Sequence, residues 1–198
     1  MLIPLLLLGA GILAGWLFPV ITQVGDLQAI HTIALIILVF ATGIGIGSQR
    51  TLWKRLRSIG AKALLTPLGT LFGSVAAGIG AGLLLGLSAN EAGAVSAGMG
   101  YYSVSMAVLT DLGNAQLGAL AFVTNILREV FSLLLIPLIA RKLPYVCAIA
   151  PGGATAMDTT LPVISRCTDE ETAVAAVVSG VILTGIVPPL VALLYGGL

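Results

Sequence analysis

An apolar stretch in the middle of the chain carries an amide, a guanidinium and a carboxylate. Residues 117–140 are long and apolar enough to cross a bilayer, which takes about 20 residues, yet they include Asn125, Arg128 and Glu129. At helical spacing these three fall with Thr124 and Ser132 within roughly 140° of arc, so they form one polar face. A charge at mid-bilayer costs about 2.5–3.5 kcal/mol. The face must therefore contact protein or water, which indicates a transport site.

Two further apolar segments are interrupted by glycine and proline. Residues 98–114 open on Gly98 and Gly100 and close on Thr-Asp-x-Gly-Asn, and residues 150–162 open on Pro-Gly-Gly and continue to Asp-Thr-Thr. Interrupted backbone at membrane depth is tolerated only where it is buried in protein or lines a cavity. A pair of such segments in corresponding positions indicates the binding site of a secondary transporter. We predict an inverted repeat whose broken segments either cross the membrane or turn back.

Three carboxylates and one guanidinium lie in or beside these segments: Asp111, Glu129, Asp158 and Arg128. If all four ionise in one cavity, three negative charges and one positive give −2, which favours a cationic solute or a neutral one accompanied by cations. Desolvation and mutual repulsion bring buried carboxylates toward proton exchange near neutral pH, which suits proton antiport. The structural alternative is that Arg128 pairs with Glu129 or Asp158 as a buried brace and that Asp111 caps a turn.

Neutral groups in the broken segments complete the predicted binding site. A half-helix that begins after Pro151, Gly152 and Gly153 would direct free N–H groups and a positive helix end at a carboxylate. Tyr101 and Tyr102 offer ring faces to an ammonium group, with interfacial tyrosine as the alternative. The remaining hydrogen-bonding candidates are Ser103, Ser105, Asn125, Thr159 and Thr160.

The composition identifies the class of protein. The 198 residues are 58% hydrophobic and 9% charged, with a formal net charge of +1, which is typical of a polytopic helical membrane protein and gives no sign of nucleic-acid binding. We predict an all-α fold with about five full spans of bilayer length, three in residues 1–90 and two in a transport core at residues 91–198. No metal-ligand spacing or cofactor motif is present, so no metal or cofactor is expected.

Charge and local patterns add topology and packing. The loop at residues 48–62 holds most of the basic residues, so the positive-inside rule places it and the N-terminus in the cytoplasm and the C-terminus outside. Glycines at positions 69, 73, 78, 82 and 86 predict a helix face that packs closely on a neighbour. The pairs Ser88 with Glu91 and Thr168 with Glu171 have the spacing of capping boxes.

Several motifs taken together resemble the LysO lysine exporter family. They run from Gly-x-Gly-Tyr-Tyr-Ser-x-Ser at Gly98, through Leu-Thr at 109–110 and Arg-Glu at 128–129, to Gly-Ala-Thr-Ala-Met-Asp-Thr-Thr-Leu-Pro-Val at 153–163. The resemblance implies proton-driven efflux of L-lysine and analogues such as thialysine across the inner membrane, with Glu129 and Asp158 as the membrane-embedded acids. Familiar members carry an additional hydrophobic block ahead of the matched part. A small second membrane subunit or self-association is therefore expected to complete the transporter.

The prediction is thus a proton-coupled exporter of lysine or a similar cationic amino acid in the inner membrane. The substrate carboxylate would meet the half-helix start or Arg128. Its ammonium groups would meet Glu129 and Asp158, with Tyr101 and Tyr102 along the path.

Three alternatives stay open. The first is an ion-coupled transporter of another solute, such as an organic anion held by Arg128, and the second is a non-transporting membrane subunit. The third, an intramembrane enzyme using Asp111 and Asp158, is disfavoured because no Gly-x-Gly-Asp or Gly-x-Ser-x-Gly motif is present and the one histidine, His31, lies far from the polar centre in sequence.

Overall fold

The computed structural model describes residues 62–196, together with isolated helical positions at 33, 37, 40 and 44. Apart from those positions, the part of the three predicted N-terminal spans that precedes residue 62 lies outside the described residues, as does the basic loop up to residue 61.

Helices make up the described part of the chain, and residues 62–196 contain no strand. The α-helices are α1 (Lys62–Leu84), α2 (Ala89–Ser96), α3 (Tyr102–Asp111), α4 (Ala115–Lys142), α5 (Leu161–Cys167) and α6 (Glu170–Gly196), with 3-10 helices at Tyr145–Ala148 and Gly153–Met157. Three of them, α1, α4 and α6, are long and apolar enough to cross a membrane. The predicted all-α, polytopic membrane fold is confirmed.

α1 and α2 pack closely and antiparallel through two glycines of α1. A side chain at Gly78 would overlap Ser96, and one at Gly82 would overlap Ala92. Such contacts let helix backbones approach where the bilayer offers no hydrophobic driving force. The prediction of close helix packing is confirmed at Gly78 and Gly82. The order of these contacts shows that α2 runs back along α1 into the bundle.

The other three glycines make no such contact with the described residues. A Cβ added at Gly69 or Gly73 would meet nothing within 4 Å there, and both glycines line a cavity. Gly86 lies beyond the end of α1, where its positive φ of 84° forms the turn into α2.

The first broken segment enters the bundle and turns back. The carbonyl of Val95, near the end of α2, accepts a hydrogen bond from Asn125 in the middle of α4. α3 then returns along the first half of α4, where the rings of Tyr102 and Phe122 pack edge to face with centroids 5.3 Å apart. Since α2 runs back along α1 and α3 ends in the turn that leads into α4, the stretch formed by α2 and this segment, residues 89–114, starts and finishes where α4 begins.

The second broken segment enters from the opposite end. The carbonyl of Pro151 accepts a hydrogen bond from the side chain of Arg128 in the middle of α4. α5 then runs back, and Ile164 packs with Ile136 toward the end of α4. The whole stretch between the end of α4 and the start of α6, residues 143–169, therefore starts and finishes where α4 ends.

The tips of the two broken segments meet at the middle of α4. The Ala154 N–H donates to the Met99 carbonyl at 2.8 Å. Gly153 has a φ of +60°, and a Cβ at this position would overlap the Met99 carbonyl, so only glycine fits. Each segment thus turns back at the middle of α4, as in the re-entrant alternative left open by the sequence, and the inverted repeat stays a prediction.

The capping box at the start of α2 is confirmed. The Ser88 N–H donates to the Glu91 carboxylate at 2.9 Å, and the Glu91 N–H donates to the Ser88 hydroxyl at 3.3 Å. The backbone and hydroxyl of Ser88 together hold the pKa of the Glu91 carboxyl below its usual range. Glu91 is thus a cap.

The capping box predicted from Thr168 and Glu171 is wrong by one residue. The Asp169 carboxylate accepts from the Thr172 N–H at 2.8 Å and caps α6, whereas the Thr168 hydroxyl donates to the preceding helix α5. Asp169 occupies the N-cap position because a carboxylate there favours the helix N-terminus.

Replacement of Gly82 by alanine tests the α1–α2 contact. The new methyl group overlaps Ala92 and must separate the helices, so we expect Gly82→Ala to destabilise the protein by about 1–3 kcal/mol, as overpacking does. The matched control is Gly80→Ala in the same helix, where nothing lies within 4 Å of the new methyl. Thermal unfolding of the purified protein in detergent measures both, and equal melting temperatures would contradict the contact.

Candidate functional site

Asn125 holds the first broken segment in place. Its carbonyl oxygen accepts from the Gly100 N–H at 2.8 Å. Its amide donates to the carbonyls of Val95 at 3.1 Å and Ala121 at 2.8 Å. With a side chain only 2% exposed, Asn125 supplies partners to backbone groups that the break leaves without helical ones. The amide predicted to bind substrate is therefore fully engaged within the protein, which favours a positioning role.

Arg128 holds the second broken segment in the same way. Its Nε donates to the Pro151 carbonyl at 3.1 Å, and its Nη2 donates to the Ala150 carbonyl at 3.1 Å. Its Nη1 donates to the Ser74 hydroxyl of α1 at 2.8 Å. The Ser132 hydroxyl, one turn along α4, reaches the same Pro151 carbonyl at 2.6 Å. These contacts do not include the carboxylates of Glu129 or Asp158, so the ion-paired brace considered from the sequence does not form.

Glu129 is the buried carboxylate of the site. Only 3% of its surface is exposed, and its Oε1 has no hydrogen-bond partner among the described residues. Each buried polar atom left unpaired costs about 1–3 kcal/mol, and more when it carries a charge. Within the described part of the chain, Glu129 is therefore a buried carboxylate with one unsatisfied oxygen.

Three groups of the broken segments surround the Glu129 carboxylate. The Thr159 hydroxyl and the Asp158 carboxylate both interact with it, and Asp158 itself accepts from the Thr159 N–H. Tyr102 lies within electrostatic range of both acids. Asp158 and Thr159 are exposed, so two exposed polar residues lie near the buried Glu129 at the middle of α4.

The other predicted residues of the broken segments are occupied within the fold or lie at its surface. The Ser105 hydroxyl donates to the Tyr101 carbonyl at 2.8 Å, and the Thr160 hydroxyl donates to the Thr155 carbonyl at 3.0 Å. Both side chains are fully buried. Tyr101 packs against the apolar core, and Ser103 is exposed on α3.

The two tip glycines do not form a free helix N-terminus. Gly152 packs against Thr160 and Ala156. The Ala154 N–H that follows Gly153 is bonded to the Met99 carbonyl. The helical piece after the break, Gly153–Met157, is a 3-10 helix of 5 residues. The predicted carboxylate site at this half-helix start is therefore occupied by the opposite tip.

Asp111 lies away from this cluster. It is the last residue of α3, nine residues beyond Tyr102, which is about 14 Å along a helix axis. The structure thus brings Glu129 and Asp158 together and leaves Asp111 at the end of the bundle. With Arg128 the charges at the centre of α4 are two negative and one positive.

Two groups of the site were missed in the sequence. Ser74, which binds Arg128, follows Gly73 in α1, where the glycines indicated helix packing alone. Thr70, one turn earlier, is 4% exposed and its hydroxyl has no partner among the described residues. A polar stripe of Thr70 and Ser74 at a spacing of four within an apolar span was the available signal.

Comparison with known proteins gives a consistent family. The profile of the family described as "Lysine exporter LysO" matches residues 5–195. The Escherichia coli K12 protein named "Lysine exporter LysO" is 32% identical over 158 residues, covering 80% of this chain and 52% of that protein. The chain thus spans about half the length of this relative.

A second relative is of more similar length. The Haemophilus influenzae protein named "Putative lysine exporter" is 30% identical over 197 residues, covering 93% of this chain and 92% of that protein. No solved structure matches the chain.

Replacing Asn125 by alanine tests its positioning role. The Gly100 N–H then loses its partner, while the Val95 carbonyl keeps a backbone donor from Gly98, so we expect a loss of about 1–3 kcal/mol from the buried N–H left unpaired. The matched control is Thr124→Ala, because Thr124 precedes Asn125 in α4 and is exposed. Thermal unfolding in detergent compares the two variants, and a melting temperature of Asn125→Ala equal to that of the control would show that the amide does not hold the break.

Proposed function

The chain belongs to the lysine exporter LysO family, and on that basis we propose that it exports L-lysine, or an analogue such as thialysine, in exchange for protons. The observation that carries the proposal is the Glu129 carboxylate, buried with an unpartnered oxygen beside the exposed Asp158. We infer the solute from the family resemblance and the coupling to protons from the two carboxylates.

Glu129 provides the exchange step. Burial disfavours its ionised form unless a cation is bound. A proton and a substrate ammonium group each relieve that penalty, and one carboxylate oxygen cannot be satisfied by both at once. Release of the ammonium on one side therefore favours uptake of a proton there, which is the minimal requirement of antiport.

Asp158 provides the second carboxylate for a solute with two ammonium groups. It lies within electrostatic range of Glu129 but is exposed, so a cation reaches it first. Two acids close together bind a cation with two ammonium groups better than a neutral amino acid with one. Tyr102, near both acids, offers its ring to the same cation.

The charge distribution supports an orientation. Arg141 and Lys142 end α4, and Arg166 lies near the end of α5, so the re-entrant topology brings all three to one end of the bundle. The positive-inside rule assigns that end to the cytoplasm and the C-terminus of α6 to the outside. The inner membrane is then the site of export.

The oligomeric form of the transporter is part of the proposal. Because the match covers only 52% of the E. coli relative, we propose that a small second membrane subunit or a second copy of this chain joins the active assembly. Lysine counterflow by the purified chain reconstituted alone tests this point, since full activity without a second subunit would rule that partner out.

Neutralisation of the two acids tests the exchange mechanism. We expect Glu129→Gln and Asp158→Asn each to reduce lysine accumulation in proteoliposomes with an acidic lumen to the level of empty liposomes. The control Asp111→Asn should retain accumulation because Asp111 lies at the far end of α3. A protonophore should abolish accumulation by the unsubstituted protein.

Protein stability separates this role from a structural one. Since the unpaired carboxylate of Glu129 is unfavourable in the folded protein, Glu129→Gln should melt at the same temperature as the unsubstituted protein or higher. Proton-driven lysine accumulation retained by Glu129→Gln would contradict the proposed role.

A further inference from the structure

A cavity of about 430 Å³ lies between α1 and α4, beside Arg128 and the start of the second broken segment. Its volume is within the range of about 300–1,000 Å³ that small-molecule sites occupy. One wall is apolar, and the polar groups come from α1, α4 and the second broken segment. The residues that matter for its chemistry are Thr70, Ser74, Arg128 and Ser132.

The Arg128 guanidinium in this cavity lacks an anionic partner among the described residues. Three of its N–H groups bond to the neutral acceptors Pro151, Ala150 and Ser74. A guanidinium has five N–H donors, so two remain for a ligand. A buried cation is stabilised most by an anion with matching geometry, and the planar fork of arginine matches a carboxylate.

A second, independent feature of the cavity is the Thr70 hydroxyl. It lines the cavity, is nine-tenths or more buried at 4% exposure, and has no hydrogen-bond partner within the described part of the chain. A buried polar group without a partner is uncommon in folded proteins and calls for a missing ligand or water. Thr70 lies one helical turn before Ser74, whose hydroxyl binds Arg128, so the two residues share one face of α1.

We propose that this cavity binds the carboxylate of the transported amino acid, with Arg128 as the cationic ligand and the Thr70 hydroxyl as a second donor. The inference rests on the proposed function and assigns the part of the solute that the two acids leave unmatched. Lysine carries two ammonium groups and one carboxylate, and the centre of α4 carries two carboxylates and one guanidinium. Each charge of the solute thus has an opposite counterpart.

The other expected carboxylate site is not available. The half-helix start after Gly153 is closed by the Met99 carbonyl, which takes the Ala154 N–H. Arg128 and Glu129 are consecutive in α4, with Cα atoms about 3.8 Å apart, and the second broken segment contacts both. The cavity lining includes Arg128 but neither Glu129 nor Asp158, so a solute whose carboxylate binds in the cavity must extend beyond its lining to reach the acids.

The consequence is selectivity for the carboxylate. Lysinamide keeps the shape of lysine but has a neutral amide, and cadaverine keeps both amines but lacks the carboxylate. Both should compete with radiolabelled lysine in counterflow at least about tenfold more weakly than lysine itself, the ratio expected for one charge-assisted hydrogen bond.

Thr70→Val is the variant of choice because Arg128 also holds the second broken segment, and its removal would disturb the fold. Valine keeps the shape of threonine and deletes only the unpaired hydroxyl. We expect Thr70→Val to weaken competition by lysine about threefold to tenfold and to leave competition by cadaverine unchanged. Thr66→Val, one turn earlier in α1 and outside the cavity lining, is the matched control and should change neither.

Ligand-induced thermal stabilisation of the detergent-purified protein separates this inference from the proposed function. Norleucine keeps the carboxylate and lacks the second amine. We expect lysine and norleucine to raise the melting temperature, their amides not to raise it, and Thr70→Val to reduce the rise. This pattern would support the carboxylate site even if the protein showed no lysine counterflow. Three results would each overturn the inference. The first is equal stabilisation by lysine and lysinamide, and the second is an equal loss of lysine and cadaverine competition in Thr70→Val. The third is no stabilisation by either lysine or norleucine.

Discussion

The constraint on which this structure depends is that broken backbone at membrane depth needs hydrogen-bond partners. Two segments that enter the bundle and turn back leave N–H and carbonyl groups without helical partners in a region where water does not supply them. α4 supplies them from one face, where Asn125 binds the first break and Arg128 and Ser132 bind the second. The tips also bond to each other through Met99 and Ala154. The polar face of an apolar helix is thus explained by the breaks it holds.

This arrangement determines which charges are available for transport. Because Arg128 donates to neutral acceptors, it does not neutralise the adjacent Glu129, which stays buried with an unpartnered oxygen. Had the two formed an ion pair, the site would lack the group that favours a proton or an ammonium. The fold therefore keeps these two neighbouring opposite charges apart.

The sequence predicts the architecture better than the roles of single residues. Length, hydropathy and the interruptions at Gly98 and Pro151 were sufficient for the helical fold and both broken segments, and Ser88 with Glu91 for a helix start. Residue type alone could not show that Asn125 is engaged by backbone 25 and 30 residues away, or that Gly73 and Ser74 line a cavity. Those roles depend on contacts between elements distant in sequence. Asp111 was predicted as a site residue for the same reason: the sequence does not show that α3 runs away from Glu129 and carries Asp111 to the end of the bundle.

The central claim, that both broken segments are re-entrant from opposite sides, is tested most directly by the accessibility of single cysteines. In a background without Cys147 and Cys167, cysteines at Asn90, Asn114, Lys142 and Asp169 would be labelled with a membrane-impermeant maleimide in intact cells. The account predicts labelling of the first two positions from outside and of the last two only after the membrane is opened. Opposite accessibility of Asn90 and Asn114, or of Lys142 and Asp169, would show that a broken segment crosses the membrane and would contradict the meeting of the two tips at α4.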